Sequence, residues 1–260
     1  MAAEIRLLST DFDGTIVCRT GEPFLHQGCI DMIRQLQGQG AVWAINTGRT
    51  VDLLESGLLD FAFPLRPDYI LTSERDVFRP GRNGCKWEPF GDWNARCARD
   101  HEVLFSSASS LLQEVTDFVS QQTQARIIYD SEGAAGVIAT SEQETQRIVD
   151  FIESQRQDES KFHYQRNTVY LRFCHLDYHK GAALSELARL LNIRRENIFA
   201  AGDNHNDVSM LDGRFAGLTA CPANAVDEVK KTVADCGGYV AEQDCGAGVH
   251  EALLHFLRDR

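Results

Sequence analysis

The chain has 260 residues, of which 43% are hydrophobic, and its formal net charge is -12. This length allows one large domain or two modest ones with a full core. The acidic balance argues against nucleic-acid binding, because phosphate backbones are held by clustered Lys and Arg. Apolar runs too short for a bilayer, an N-terminus without an export signal and eight scattered cysteines lead us to expect a cytoplasmic protein that does not bind membranes.

Short apolar runs occur near both ends of the chain. They cover residues 5–8, 41–45, 69–72, 197–201 and 215–220. Because these runs barely alternate, they are typical of parallel strands that are covered on both faces. Between them, apolar residues recur at helical spacing, as at Ile30, Ile33 and Leu36. This alternation predicts a doubly wound, Rossmann-like α/β core, whose functional groups lie at the carboxyl ends of its strands.

The middle of the chain has a different pattern, from about residue 81 to residue 170. We expect a loop, a helix around 111–119, strands in "ARIIYD" and "AAGVIAT", a helix after Ser141 and a strand in "TVYLRFC". This order is typical of an α+β domain. We therefore predict a core of residues 1–80 and 171–260 with a second domain, residues 81–170, inserted into it.

Four short polar segments follow predicted core strands or begin core helices. They are "DFDGT" (11–15), "NTGR" (46–49), "HKG" (179–181) and "GDNHND" (202–207). The carboxyl ends of parallel strands meet at one edge of a sheet, so separate segments can form one site. We expect these four to converge.

The first and last segments together contain four aspartates: Asp11, Asp13, Asp203 and Asp207. Carboxylates brought together repel one another, and a hard divalent cation such as Mg²⁺ relieves that repulsion because it prefers oxygen ligands. Mg²⁺ usually retains waters and also contacts a substrate phosphate. The sequence therefore predicts a magnesium site.

The remaining polar groups are suited to a phosphate. Thr47 offers a hydroxyl, Gly48 an accessible backbone N–H, Lys180 a positive charge and Asn206 an amide. With two aspartates after the first strand, one can attack phosphorus while the other moves a proton. The sequence thus indicates a site for phosphoryl chemistry.

In this order and spacing, the four segments resemble the motifs of the haloacid dehalogenase superfamily. The long insertion between the second and third motifs resembles the cap of the branch that includes sugar phosphatases, sucrose-phosphate phosphatase and Cof-like hydrolases. The resemblance implies that Asp11 is the nucleophile and Asp13 the general acid/base. It also implies that Thr47 and Lys180 hold phosphoryl oxygens. The implied Mg²⁺ ligands are Asp11, the backbone carbonyl of Asp13, Asp203 and, directly or through water, Asp207.

Several of these segments have simpler interpretations when each is taken alone. "DFDGT" could be a plain turn or the start of a calcium loop, and "NTGR" a helix cap. Arg49 could contact substrate or form a surface salt bridge. A basic cluster near the second-domain boundary could line a sugar-phosphate pocket or be a solvated face: Arg75, Arg79, Arg82 and Lys86. The sequence "TSERDVF", with Glu74 and Arg75, departs from the Asn-Gly or Gly-Thr pair that relatives often have after the third strand.

The sequence as a whole favours a Mg²⁺-dependent phosphatase that acts on a small phosphorylated metabolite, in particular a sugar phosphate. A phosphotransferase or phosphomutase would share the aspartyl-phosphate and stays open as the alternative. A sensor that binds a phosphorylated ligand without turnover is a third hypothesis, disfavoured by the presence of all four carboxylates.

Overall fold

The computed structural model describes residues 4–19, 22–81, 87–130, 133–156 and 161–258. Its strands are β1 (Leu7–Thr10), β2 (Val42–Asn46), β3 (Tyr69–Thr72), β4 (Asp76–Pro80), β5 (Trp87–Pro89), β6 (Arg126–Asp130), β7 (Gly133–Ile138), β8 (Phe162–Asn167), β9 (Tyr170–His175), β10 (Ile198–Ala201), β11 (Leu218–Cys221) and β12 (Tyr239–Val240). Its helices are α1 (Gln27–Gly38), α2 (Val51–Asp60), α3 (Trp93–Ser107), α4 (Ser109–Gln122), α5 (Glu142–Gln155), α6 (Lys180–Leu191), α7 (Val208–Leu211), α8 (Asp227–Asp235) and α9 (Cys245–Leu257).

The chain forms two units, one of residues 1–94 and 179–260 and the other of residues 95–178. The first contains an eight-stranded sheet in the order β12-β11-β10-β1-β2-β3-β4-β5. The strands from β12 to β3 pair in parallel, while β4 and β5 extend the β3 edge in antiparallel pairing. β1 leads to β2 on one side and pairs with β10 on the other, which makes its carboxyl end a topological switch point.

Alternate residues of the central strands face two separate hydrophobic clusters. Leu8 packs on one face of the sheet with residues of α1 and α9. Leu7 packs on the other face with residues of α6, α7 and α8. Because both faces are covered by helices, the core strands carry apolar residues at most positions, which explains why their runs barely alternate. The prediction of a doubly wound α/β core is confirmed.

The second unit contains a four-stranded antiparallel sheet in the order β6-β7-β9-β8. Its core includes Val119 of α4, Ile148 of α5 and Phe173 of β9, all of them buried. Phe118 and Phe151 stack with their ring centroids 4.0 Å apart, which joins α4 to α5. This is the α+β character that the sequence predicts for the inserted region.

The structure divides the chain at different residues from those expected. The second unit begins at Ala95 and not at 81, because β4 and β5 pair with the core sheet through β3. It ends at Tyr178 and not at 170, because β9 pairs with β7 and β8. The expectation of a loop before the 111–119 helix is wrong, since α3 occupies that stretch and buries Cys97, His101 and Leu104 on one face.

Two further expectations from the sequence concern the cysteines and membrane-spanning helices. Seven cysteines lie among the described residues and all of them are free thiols. No helix in the described ranges has both the length and the apolar composition required to cross a bilayer.

Candidate active site

The turn after β1 places the first pair of aspartates at the edge of the sheet. The Asp11 N–H donates to the carbonyl of Ala201 at the end of β10, with a distance of 2.9 Å. Gly14 follows with φ +83°, a conformation that glycine adopts without strain. A Cβ at this position would collide with the carboxylate of Asp203. The glycine therefore allows the Asp11 turn and the Asp203 turn to approach closely.

A buried lysine joins two of the predicted carboxylates. Lys180 is the first residue of α6, and its Nζ donates to Asp11 Oδ1 and to Asp207 Oδ1, each over 2.6 Å. Burial alone would lower the pKa of Lys180, but the charges of Asp11 and Asp207 outweigh it and raise the pKa. The ammonium group thus stays charged inside the protein, although no solvent reaches it.

The turn after β10 is held together by its own final aspartate. Asp207 Oδ2 accepts hydrogen bonds from the N–H groups of Asp203 and Asn204, each 2.9 Å long. Asp203 Oδ1 in turn accepts a hydrogen bond of 2.7 Å from the hydroxyl of Thr15, which belongs to the turn after β1. These contacts fix the two turns against each other.

Three carboxylates meet in this cluster. Asp11, Asp203 and Asp207 are buried, and each offers one oxygen such that the three oxygens lie within 4.8 Å of one another. Burial raises the pKa of Asp11 well above its ordinary value, and Asp207 and Asp203 add to the shift while Lys180 opposes it. Burial together with Asp207 raises the pKa of Asp203 to about 7. One ammonium group is therefore not enough to offset the three carboxylates, and this oxygen-only donor set fits a hard divalent cation such as Mg²⁺.

The segment after β2 carries the second predicted motif. Thr47 is buried, its N–H donates to the carbonyl of Leu71 over 2.8 Å, and its hydroxyl accepts from the N–H of Arg49 over 3.2 Å. The Arg49 guanidinium donates to both carboxylate oxygens of Asp13, over 2.6 and 2.8 Å. Arg19 also pairs with Asp13, at 2.8 Å. Of the two interpretations from the sequence, the structure shows the salt bridge, and its partner, Asp13, is a catalytic candidate that the sequence did not indicate as the partner.

The last predicted residue, Asn206, lies beside a residue to which the sequence assigned no role. Asn206 Nδ2 donates to Glu74 Oε1 over 2.8 Å, and both side chains are buried. The structure therefore brings Asn206 next to the turn after β3. Glu74 is visible in the sequence only as a carboxylate in the unusual "TSERDVF" segment, and Thr15 only as the last residue of "DFDGT".

The predicted site residues thus fall into three groups. Asp11, Lys180, Asp203 and Asp207 form one hydrogen-bonded cluster, Asp13 forms an ion pair with Arg49, and Thr47, Gly48 and Asn206 lie in segments that Glu74 contacts. The carboxylate of Asp13 is not part of the three-carboxylate group.

The basic cluster near the second-domain boundary is only partly described. Arg79 pairs with Glu88 across β4 and β5, at 2.7 Å, and both side chains are about half exposed or less. Arg82 and Lys86 lie outside the described residues. The Arg79 contact agrees with the interpretation of a solvated face.

The chain is similar to proteins that carry hydrolase and phosphatase names. A family model described as haloacid dehalogenase-like hydrolase matches residues 99–253, more than half of the chain. The chain is 34% identical to 5-amino-6-(5-phospho-D-ribitylamino)uracil phosphatase YcsE of Bacillus subtilis over 82 residues, which span 32% of this chain and 30% of that protein. It is 21% identical to the phosphoglycolate phosphatase of Thermoplasma volcanium over 252 residues, covering 97% and 98% of the two chains.

Similarity among solved structures extends over nearly the whole chain. The sucrose-phosphatase of Synechocystis sp. PCC6803, solved in complex with sucrose and phosphate, superimposes with a TM-score of 0.71 at 16% identity. The superposition covers 97% of this chain and 98% of that one. At this identity the likeness shows a shared fold.

Proposed function

The chain belongs to the haloacid dehalogenase-like hydrolases, and we propose that it is a Mg²⁺-dependent phosphatase that hydrolyses a small phosphorylated metabolite through an aspartyl-phosphate on Asp11. The family predicted from the four motifs is confirmed, and so is the prediction of a phosphatase, since the relatives carry phosphatase names. The observation that best supports the finer proposal is the buried Lys180 ammonium between Asp11 and Asp207, next to Asp203.

In the first step, a carboxylate oxygen of Asp11 attacks phosphorus and the bond from phosphorus to the leaving oxygen breaks. Lys180, already 2.6 Å from Asp11 Oδ1, offsets the charge of the nucleophile and of the phosphoryl oxygens. The hydroxyl of Thr47, the backbone N–H of Gly48 and the amide of Asn206 are the groups we assign to the remaining phosphoryl oxygens.

Asp13 is assigned the proton transfers. It gives a proton to the leaving oxygen in the first step and takes one from the water that attacks phosphorus in the second, so that Asp11 is regenerated and inorganic phosphate leaves. The bidentate contact with Arg49 fixes the orientation of the Asp13 carboxylate, and one of its two hydrogen bonds has to open before that oxygen can carry a proton.

The three-carboxylate group supports the proposed cofactor. Mg²⁺, when bound, supplies positive charge that offsets the carboxylates and the phosphoryl group. Asp11 and Asp203 are the side chains we assign to direct ligation. Asp207 already accepts hydrogen bonds from Lys180 and from two backbone N–H groups, which favours a contact through water. The backbone carbonyl of Asp13 stays a predicted ligand.

A sugar phosphate is the substrate class we favour. The fold is shared with a sucrose-phosphatase that was solved with sucrose and phosphate, and the relatives named above act on small phosphorylated compounds. The second unit, residues 95–178, is the part of the chain to which we assign choice of the leaving group. Activity in the cytoplasm stays a prediction.

The test is phosphate release from a panel of sugar phosphates and phosphoglycolate, with Mg²⁺ and with EDTA. We expect release from at least one sugar phosphate, loss in EDTA and loss in D203N. The matched control is D31N, the same change at an exposed aspartate of α1 that pairs with Arg34 and Gln27. Transfer of the phosphoryl group to a sugar without phosphate release would favour the phosphotransferase, and tight binding without turnover would favour the sensor.

A further inference from the structure

Glu74 is a buried carboxylate beside the phosphate-binding segments, and the proposed mechanism gives it no part. The residue is 3% exposed. One oxygen, Oε1, accepts the hydrogen bond from Asn206 Nδ2, whereas Oε2 is buried and has no hydrogen-bond partner among the described residues. A buried carboxylate with an unpartnered oxygen lowers the stability of the fold, which points to a functional reason for its presence.

The backbone around Glu74 is also unusual. Ser73 and Glu74 have φ values of +52° and +65°, in the left-handed region that residues other than glycine seldom occupy. Two hydrogen bonds tie this turn to the segment after β2: the Ser73 N–H donates to the Arg49 carbonyl over 2.8 Å and the Glu74 N–H to the Thr47 carbonyl over 3.1 Å. Strained turns of this kind are common at functional sites.

The Glu74 side chain lies between two segments that we assign to phosphate binding. A Cβ added at Gly48 would lie 3.1 Å from Glu74 Oε1, so only glycine gives the carboxylate ample room there. From this position Oε1 reaches Asn206 in the turn after β10. Glu74, from the end of β3, thus bridges the ends of β2 and β10.

The chemistry of the contact fixes how the Asn206 amide is oriented. A carboxylate can only accept hydrogen bonds, so Asn206 must turn its NH₂ group toward Glu74. That nitrogen carries two hydrogens. One donates to Glu74, and the second remains for another acceptor, such as a phosphoryl oxygen.

We propose that Glu74 is a positioning residue that orients the Asn206 amide, so that its second N–H donates to the phosphoryl group. This inference rests on the proposed function. Direct contact between Glu74 and the phosphoryl group is disfavoured, because its free oxygen is buried and two anions would repel each other.

The test is a double-mutant cycle on phosphate affinity. Inorganic phosphate is titrated calorimetrically, in saturating Mg²⁺, into the wild-type chain, E74A, N206A and the double variant E74A/N206A. E55A, at an exposed position of α2, controls for the loss of a carboxylate. Thermal melting of each variant checks that the fold is retained.

If Glu74 acts through Asn206, E74A weakens phosphate binding about tenfold in the wild-type background and by less than about twofold in the N206A background. E74Q gives an intermediate affinity, because a glutamine can face the amide with either its oxygen or its nitrogen and no longer dictates the orientation.

Three results would overturn the inference alone: equal effects of E74A in both backgrounds, no effect of E74A on the wild-type chain, or wild-type affinity in E74Q. Absence of phosphate binding by the folded wild-type chain would instead overturn the proposed function together with this inference.

Discussion

Arg49 forms a bidentate ion pair with Asp13, from Nε to Oδ2 at 2.6 Å and from Nη2 to Oδ1 at 2.8 Å. The guanidinium also lies 4.9 Å from the ring centroid of Phe12, and its Nη1 donates to the carbonyl of Leu53 over 2.8 Å. Because the arginine is held on several sides, it fixes the carboxylate that we assign to proton transfer. The pair links the first and second motifs.

Replacing Arg49 tests this link. We expect R49A to lower kcat about ten- to a hundredfold on a sugar phosphate, with D13N at least as severe, because the leaving oxygen then receives its proton less efficiently. The losses in kcat/KM, which reports the steps up to formation of the aspartyl-phosphate, should shrink on 4-nitrophenyl phosphate, whose leaving group needs little protonation. R34A, at an exposed ion pair of α1, is the control. An equal loss on both substrates would argue that Arg49 acts on phosphate binding and not through Asp13.

Asp203 should lower the stability of the metal-free chain at neutral pH. Burial and Asp207 raise the folded-state pKa of Asp203 to about 7, above an unfolded value of about 3.9. Well below pH 4 both states are protonated and there is no penalty. As pH rises toward 7, only the unfolded chain loses the proton, so the folded chain is destabilised by up to about 4 kcal/mol.

We therefore expect D203N, in EDTA, to unfold at higher urea than the wild-type chain at pH 7.5, with a smaller difference at pH 4.5. The asparagine can still accept the hydrogen bond from Thr15. D31N should follow the wild-type chain at both pH values. A D203N variant that is less stable by the same amount at both pH values would show that the carboxylate carries no burial penalty.

Binding of Mg²⁺ should stabilise the chain because the ion offsets the repulsion among Asp11, Asp203 and Asp207. We expect Mg²⁺ at a hundredfold excess over its Kd to add about 2.7 kcal/mol to the free energy of unfolding, and EDTA to reverse the gain. Thermal melting at pH 7.5 measures it. D31N should keep the full gain and D203N should lose most of it; equal gains in both variants would place the ion elsewhere.

Gly14 should tolerate no side chain. Its φ of +83° disfavours alanine, and a Cβ there would collide with the Asp203 carboxylate. We expect G14A to reduce Mg²⁺ affinity and phosphate release at least tenfold, since the two turns would separate. G38A is the control: Gly38 lies at the end of α1, where a Cβ would meet no neighbouring atom, and should leave both measurements unchanged. Wild-type metal affinity in G14A would contradict the close approach.

Much of the core could be predicted from the sequence because local pattern and position coincide there. Asp11, Asp203 and Lys180 each stand next to an apolar segment, and parallel strand ends converge, so their proximity followed from topology. The same reasoning predicted four aspartates together; the structure brings the carboxylates of Asp11, Asp203 and Asp207 together, whereas Asp13 pairs with Arg49.

The parts that escaped prediction depend on non-local contacts. β4 and β5 belong to the core because they pair with β3, and β9 belongs to the second unit because it pairs with β7 and β8. Sequence pattern does not reveal which strands pair, so the boundaries of the second unit in the structure, Ala95–Tyr178, differ from the predicted 81–170.

Two side-chain relationships in the site escaped prediction for related reasons. Glu74 reaches Asn206 through a left-handed turn that its residue type does not indicate. Arg49 binds Asp13 because its long side chain extends toward the turn after β1. The spacing of residues along the chain does not indicate that direction.

The initial rate of phosphate release by D11N, compared with the wild-type chain in saturating Mg²⁺ on the best substrate of the panel, tests the central claim most directly. Asparagine keeps the size of the side chain and an oxygen for Lys180, but it lacks the negative charge that attacks phosphorus. We predict a loss of at least about a thousandfold with the fold retained by circular dichroism. A folded D11N variant that releases phosphate at the wild-type rate would contradict the assignment of Asp11 as the nucleophile.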